Sequence, residues 1–164
     1  MKKFLLTAGA ALLLFIVGRA LVNALVSEET HVRWLVEDMV EGFNATRASP
    51  CIAPLAREFV DEPSGADREL VHAGLVRLFF TAKDPATKRF EYVAELPDEG
   101  WRVEVRGGAP QTATFECSIH FQRRRGEALE PAWDIRVHAE LEKRDEGWRI
   151  VRTRHETTGG ERLR

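Results

Sequence analysis

Two histidines and two carboxylates sit at alternating positions of two segments that otherwise alternate apolar and polar: Glu116 and His120 in one, Asp134 and His138 in the other. Imidazole nitrogens and carboxylate oxygens ligate zinc when four of them converge. If the stretch 123–130 joins the two segments, polar side chains oppose one another where residue numbers sum to about 254. Glu116 then faces His138, and His120 faces Asp134. Acid–histidine pairs of this kind also stabilise a solvated sheet by about a few tenths of a kcal/mol, and nothing in the sequence walls the quartet off. It reads as the polar face of a sheet, with no metal and no cofactor. Cys51 and Cys117 are the only thiols; in an exported chain they could pair, or both could stay buried and reduced. Asp38 is a single acid between apolar positions, and Tyr92 is the only tyrosine. His31, His72 and His155 stand alone and read as helix-start, packing or surface positions. Asn44-Ala45-Thr46 matches a glycosylation acceptor by chance, unless the host is a eukaryotic secretory one.

These side chains must be positioned by one domain. A chain of 164 residues, 44% apolar and 30% charged, is long enough for a single hydrophobic core. Three basic residues, Lys2, Lys3 and Arg19, precede Ser27; without them 21 of the 24 basic residues remain against 26 acidic ones, a net of −5. That balance excludes a phosphate-backbone binder, and the run Arg123-Arg124-Arg125 beside Gly126 reads as a solvated hairpin tip in a loop. Lys2-Lys3 followed by the uncharged run Phe4 to Gly18 has the layout of a secretory signal. With Arg19 snorkelling, the segment extends to Val26, long enough to span a bilayer as a single-pass anchor. The expectation is a domain on the outer side of the cytoplasmic membrane, with cleavage near Ala24 and secretion as the alternative.

From Ser27 the apolar positions Val32, Leu35, Val36, Met39, Val40 and Phe43 recur at helical spacing, with Ser27 or Thr30 as cap. Ser49-Pro50 opens a second helix to about Phe59. Asp61-Glu62-Pro63-Ser64-Gly65 is a break, and Ser64 caps a third helix through Phe80 whose face is Val71, Leu75, Leu78 and Phe79. Beyond Asp84-Pro85 the period becomes two. Strands are expected at Phe90–Glu95, Trp101–Arg106, Ala113–Gln122, Trp133–Glu142 and from Trp148 to about Thr157, with a polar, frayed tail over 158–164. The string Asp-Glu-Gly-Trp-Arg occurs at 98–102 and again at 145–149. No second helical run accompanies it, so it reads as a hairpin device used twice, not as a duplicated module.

Three helices followed by a meander of about five strands, the last entered through Asp145-Glu146-Gly147-Trp148-Arg149-Ile150-Val151, resembles the NTF2-like superfamily with its SnoaL-like and ketosteroid-isomerase-like members. The likeness covers 27–157. It implies an α+β fold in which three helices pack on a curved antiparallel sheet, forming a cone with a pocket. Isomerase-like members place carboxylic acids and a tyrosine inside that cone. Here the inward positions of the two long strands, Ala113, Phe115, Cys117, Ile119, Phe121 and Trp133, Ile135, Val137, Ala139, Leu141, hold no carboxylate. The expected pocket is lined by Trp34, Asp38, Phe79, Tyr92, Phe115, Cys117 and Trp133, with no catalytic group named. The expected function is a tethered, non-catalytic domain that binds a small apolar ligand or a partner protein. An isomerase- or hydratase-like enzyme is the alternative, and a structural accessory of an envelope complex the third reading. The outer sheet face, Thr114, Glu116, Ser118 and His120 beside Asp134, Arg136, His138 and Glu140, is the expected homodimer surface.

Overall fold

A computed structural model describes residues 26–85, 87–161 and 163. The expected anchor or signal lies outside them up to residue 25. Among the described residues no helix is long and apolar enough to cross a membrane.

Helix α1, Glu28–Asn44, starts where Ser27 Oγ accepts the amide of Thr30 at 3.3 Å, with Glu28 and Glu29 at its positive end. It buries Val32, Val36 and Phe43. Its other end is pinned by an amide side chain: Asn44 Nδ2 donates to the Ala94 carbonyl at 2.8 Å, and the Ala94 amide donates to Asn44 Oδ1 at 2.7 Å. A side chain thus supplies the hydrogen bonds that a neighbouring strand would have supplied. The chain then turns through α2, Ala48–Ile52. A β-carbon at Gly42 would lie 2.8 Å from Pro50 Cβ, so glycine lets α1 and α2 touch.

The second helix is therefore shorter than its expected extent to Phe59. Residues Leu55–Asp61 form strand β1 instead. Pro54 cannot continue the helix, and β1 finds a parallel partner in the last strand, β7, a contact made far along the chain. A two-residue strand β2, Ala66–Asp67, pairs back on β1, and helix α3, Arg68–Thr81, follows directly. Its cap is Asp67, whose Oδ1 accepts the Leu70 amide at 2.8 Å, and not Ser64, whose hydroxyl is turned toward Asp61.

The remaining strands are β3, Tyr92–Glu95; β4, Arg102–Arg106; β5, Thr112–Arg125; β6, Ala128–Arg144; and β7, Gly147–Gly160. The sheet order is β2-β1-β7-β6-β5-β3, with β4 also on β5. Among the described residues the result is an α+β fold with three helices on a seven-stranded mixed sheet, where five antiparallel strands are expected. β5 and β6 pair in the anticipated register, from Thr112↔Glu142 to Phe121↔Trp133, and the ladder then slips by one residue and continues to Arg125↔Ala128. The arginine run thus belongs to strand and not to loop, and the turn is Gly126-Glu127.

The two Asp-Glu-Gly-Trp-Arg copies are not the same device. The second makes the tight β6–β7 hairpin, Arg144↔Gly147. The first joins β3 to β4, which do not pair with each other; both lie on the same edge of β5, β3 against 120–123 and β4 against 112–116. Each tryptophan nevertheless braces α1. Arg33 sits 4.8 Å over the Trp101 ring, and Trp148 Nε1 donates to Glu28 at 2.8 Å.

β7 also runs past its expected end. Gly160 has φ +69°, and a β-carbon there would lie 2.1 Å from the Ala132 carbonyl oxygen. The Glu161 amide donates to that same oxygen, and Leu163 packs on the aromatic end of the core, so the described residues of the expected frayed tail are held in place. Gly160→Ala is expected to lower the urea midpoint by more than Gly100→Ala. The latter faces open space at φ +85° and meets only the conformational cost, about 1–2 kcal/mol. Equal midpoints would show that the end of β7 is not clamped as described.

Candidate functional site

The inner face of the sheet is ordered in rows. Val103, Phe115, Ala139, Thr153 and Asp61 lie side by side across β4, β5, β6, β7 and β1. The next row is Cys117, Val137 and His155. Parity along β7 and its pairing with β1 therefore bring an acid and a histidine onto the inner face. Asp61 is 7% exposed. Its Oδ1 accepts the Thr153 hydroxyl at 2.9 Å and lies 3.1 Å from His155 Nδ1, while its Oδ2 accepts the Ser64 amide and hydroxyl. Burial, the largest influence, opposes ionisation of Asp61; the hydrogen bonds from Ser64 and Thr153 and the adjacent imidazole outweigh it and hold the carboxyl below its ordinary 3.8. The His155 ring meets Trp133 edge-on at 6.2 Å. Its Nε2 has no protein partner among the described residues, and the side chain is 22% exposed. An ionised acid that orients Nδ1 and leaves Nε2 open is an arrangement able to accept a proton. Sequence reasoning missed it because Asp61 reads as part of a break and His155 as a lone residue. The signal was the alternation Phe59, Asp61 against Thr153, His155, legible only once β1 is known to be a strand.

The expected pocket residues do not converge on one cavity. Phe79 and Tyr92 belong to a buried cluster with Phe43, Phe90 and Phe121, whose rings meet edge to face at 5.2–5.9 Å. Trp133 stacks on Phe121 at 5.3 Å. Phe115 and Cys117 are packed in the second half of the core with Val32, Val36, Ile52, Leu55, Leu141 and Ile150. Trp133 apart, all of these side chains belong to the packed core. Trp34 and Asp38 lie elsewhere, on the outward side of α1, so Asp38 and Tyr92 are not brought together.

Trp34 and Asp38 line a groove of about 770 Å³ between α1, the Pro50–Pro54 turn and the β6–β7 hairpin. Trp148 is among the residues that line it. Glu28 ties the two walls, hydrogen-bonded to Lys143 and Trp148, and these contacts with burial opposing them hold its carboxyl below the usual range. Both signs of charge line it: Glu28, Asp38, Glu41 and Glu146 against Arg47, Lys143 and Arg149. Trp34 is 40% exposed above it, next to His31 at 5.8 Å. A second groove of about 620 Å³, rich in arginine, meets the first at Ala53, Glu146 and Arg149.

On the outer face His120 Nδ1 lies 2.7 Å from Asp134 Oδ1, and Arg136 stands 3.9 Å from Glu116 and 3.6 Å from Glu156. Glu116 is opposite His138 in register. Among the described residues no three metal-ligating side chains converge. Cys51 and Cys117 are free and buried. Cys51 Sγ donates to the Met39 and Arg47 carbonyls, and burial raises both thiols, Cys117 to about 12.

No family model and no curated protein matches the chain. Solved structures match its shape. An NTF2-like protein with a cystatin-like fold from Novosphingobium aromaticivorans aligns with TM-score 0.62 and 15% identity over 89% of this chain and 90% of that one. An NTF2-like protein of unknown function from Pseudomonas putida gives 0.59 and 16% over 78% and 84%. A ketosteroid isomerase-like protein from Erwinia carotovora atroseptica gives 0.54 and 14% over 81% and 98%. At such identities the likeness is one of fold, and the fold is the NTF2-like, cystatin-like one.

The Asp61 carboxyl has its folded value below its unfolded one, so its stabilisation is full above about pH 4 and is lost as the pH falls through the folded value. Asp61→Asn is expected to cost about 1–3 kcal/mol at pH 7 and to flatten the loss of stability between pH 5 and pH 2. Urea midpoints across that range check it; an unchanged acid slope would contradict the pairing.

Proposed function

We propose that this NTF2-like domain is non-catalytic, held on the outer side of the cytoplasmic membrane by the segment Phe4–Val26, and that it works by binding a segment of a partner protein in the groove along α1. The observation that supports this reading is the contrast between Trp34 and the other large side chains. Phe79, Tyr92 and Phe115 are buried in the packed core. Trp34 stands half out of an open groove whose rim carries both signs of charge. An aromatic anchor beside a polar rim is the composition of a protein-binding hot spot. A photoreactive phenylalanine analogue replacing Trp34 in the full chain is expected to give a discrete adduct in the host, absent when the analogue replaces the exposed Arg102 instead. Identical adduct patterns from both positions would reject the groove. Retention of the chain in the membrane after a carbonate wash checks the tether, and a mature chain starting near Leu25 would replace the anchor by a cleaved signal.

The Asp61–His155 pair favours a second reading, an isomerase- or hydratase-like enzyme in which His155 Nε2 takes the proton and Asp61 holds the ring. A screen of unsaturated ketones for double-bond migration or water addition separates the two. The binding reading expects no turnover; turnover lost in His155→Gln at unchanged melting temperature would establish the enzyme.

A further inference from the structure

Helix α3 has its apolar residues on two opposite sides. The inward side, Val71, Leu75, Leu78 and Phe79, packs on the core. At about 100° per residue, Glu69, Leu70, Ala73, Val76, Arg77 and Phe80 form a stripe centred on Ala73 that points the other way. Leu70 is 60% exposed and Phe80 75% exposed, and Glu69, Ala73 and Arg77 are exposed as well. Two such large side chains on one short helix face are more than scattered surface apolar residues. A helix apolar on both sides is ordinarily covered on both.

We propose that this face of α3 is covered by the same face of a second copy of the chain, in an antiparallel pair about a two-fold axis at Ala73. From Glu69 to Arg77 the stripe is self-complementary in that arrangement and in no parallel one, and Phe80 lies beyond the paired stretch. With the axis at Ala73, residues oppose one another where their numbers sum to 146. Glu69 of each copy then meets Arg77 of the other, twice over; Leu70 meets Val76; and Ala73 meets Ala73, the small residue where the helix backbones come closest. The outer face of the sheet is a poorer surface for a second copy, because Asp134, Glu116 and Arg136 already have charged partners within the chain. The stripe from Glu69 to Phe80 is about 17 Å long and one helix face wide, too small a surface to bury the roughly 800 Å² per partner of a standard interface. Pairing is accordingly weak and concentration-dependent, and confinement to a membrane surface, as proposed above, would raise the effective concentration. The inference stands apart from the groove along α1, which lies on another helix.

Cysteine cross-linking of the full chain tests it. Ala73→Cys, under mild oxidation, is expected to give a disulfide-linked homodimer at several times the yield of His72→Cys, whose side chain lies about 100° round the helix. Glu69→Arg or Arg77→Glu, each added to Ala73→Cys, should lower that yield at least threefold, and both together in one chain should restore it, since each copy then again presents opposite charges. Equal yields from positions 72 and 73, or failure of the double reversal to restore linkage, would overturn the two-fold pairing. A disulfide adduct of the Ala73→Cys chain to a different host protein would assign the face to another partner and overturn it equally.

Discussion

The pairing of β5 with β6 is the constraint from which the rest of the molecule hangs. The ladder runs from Thr112↔Glu142 to Arg125↔Ala128, and its parity decides every face. Phe115, Cys117, Ala139 and Leu141 go inward together, and Glu116, His120, Asp134 and His138 go outward together. A slip of one residue would exchange the two sets and expose the core. β7 inherits the parity from β6, β1 inherits it from β7, and the broken edge β3–β4 inherits it from β5. The Asp61–His155 pair is a product of that inheritance: neither residue carries a local signal, yet three successive registers bring them within hydrogen-bonding distance on one face.

The same chain of registers explains which parts were legible in the sequence. The β5–β6 alignment was, because a period-two pattern flanking a turn has one register that buries all the apolar residues. So was α1, with its cap at Ser27 and its stripe. The segment 55–61 was not: Leu55, Ala56, Phe59 and Asp61 follow no clean period, the pairing with β7 slips between Leu55 and Val60, and the partner lies far away in sequence. Misplacing that strand hid Asp61, and with it the acid–histidine pair on the inner face. The first Asp-Glu-Gly-Trp-Arg copy misled for a different reason. Asp and Gly report that the backbone turns, but not which strand receives it afterwards; here both flanking strands return to the same neighbour. The groove was not legible: Trp34 and Asp38 were expected inside the cone with Phe79, Tyr92, Phe115 and Cys117, and they line its outward side instead. Burial on the inner face is evident from alternation, but whether inward side chains leave a hollow depends on how their volumes sum across layers.

The packing of the cone bears on the environment its interior offers. A hollow cone offers a desolvated interior, where an acid or base acquires an altered proton affinity. Here the cone has at one end of its core a network of five aromatic rings in edge-to-face contact, which offers stiffness instead. Its outer surfaces are then held at fixed relative positions: the groove walls are locked by Glu28 to Lys143 and Trp148, and the outward side of α3 is backed by Leu75 and Phe79.

The parallel pair β1–β7 has a bearing on how such a chain reaches its destination. Asp61 and Thr153 are 92 residues apart, so the sheet cannot close until nearly all of the domain has been synthesised. The antiparallel hairpins near the end can form early, but the helices at the front have no completed surface to dock on before then. Non-local strand pairing of this kind slows folding. A fold that closes late leaves the chain extended and threadable for as long as its far end is missing, the state in which the export proposed above would carry it across a membrane.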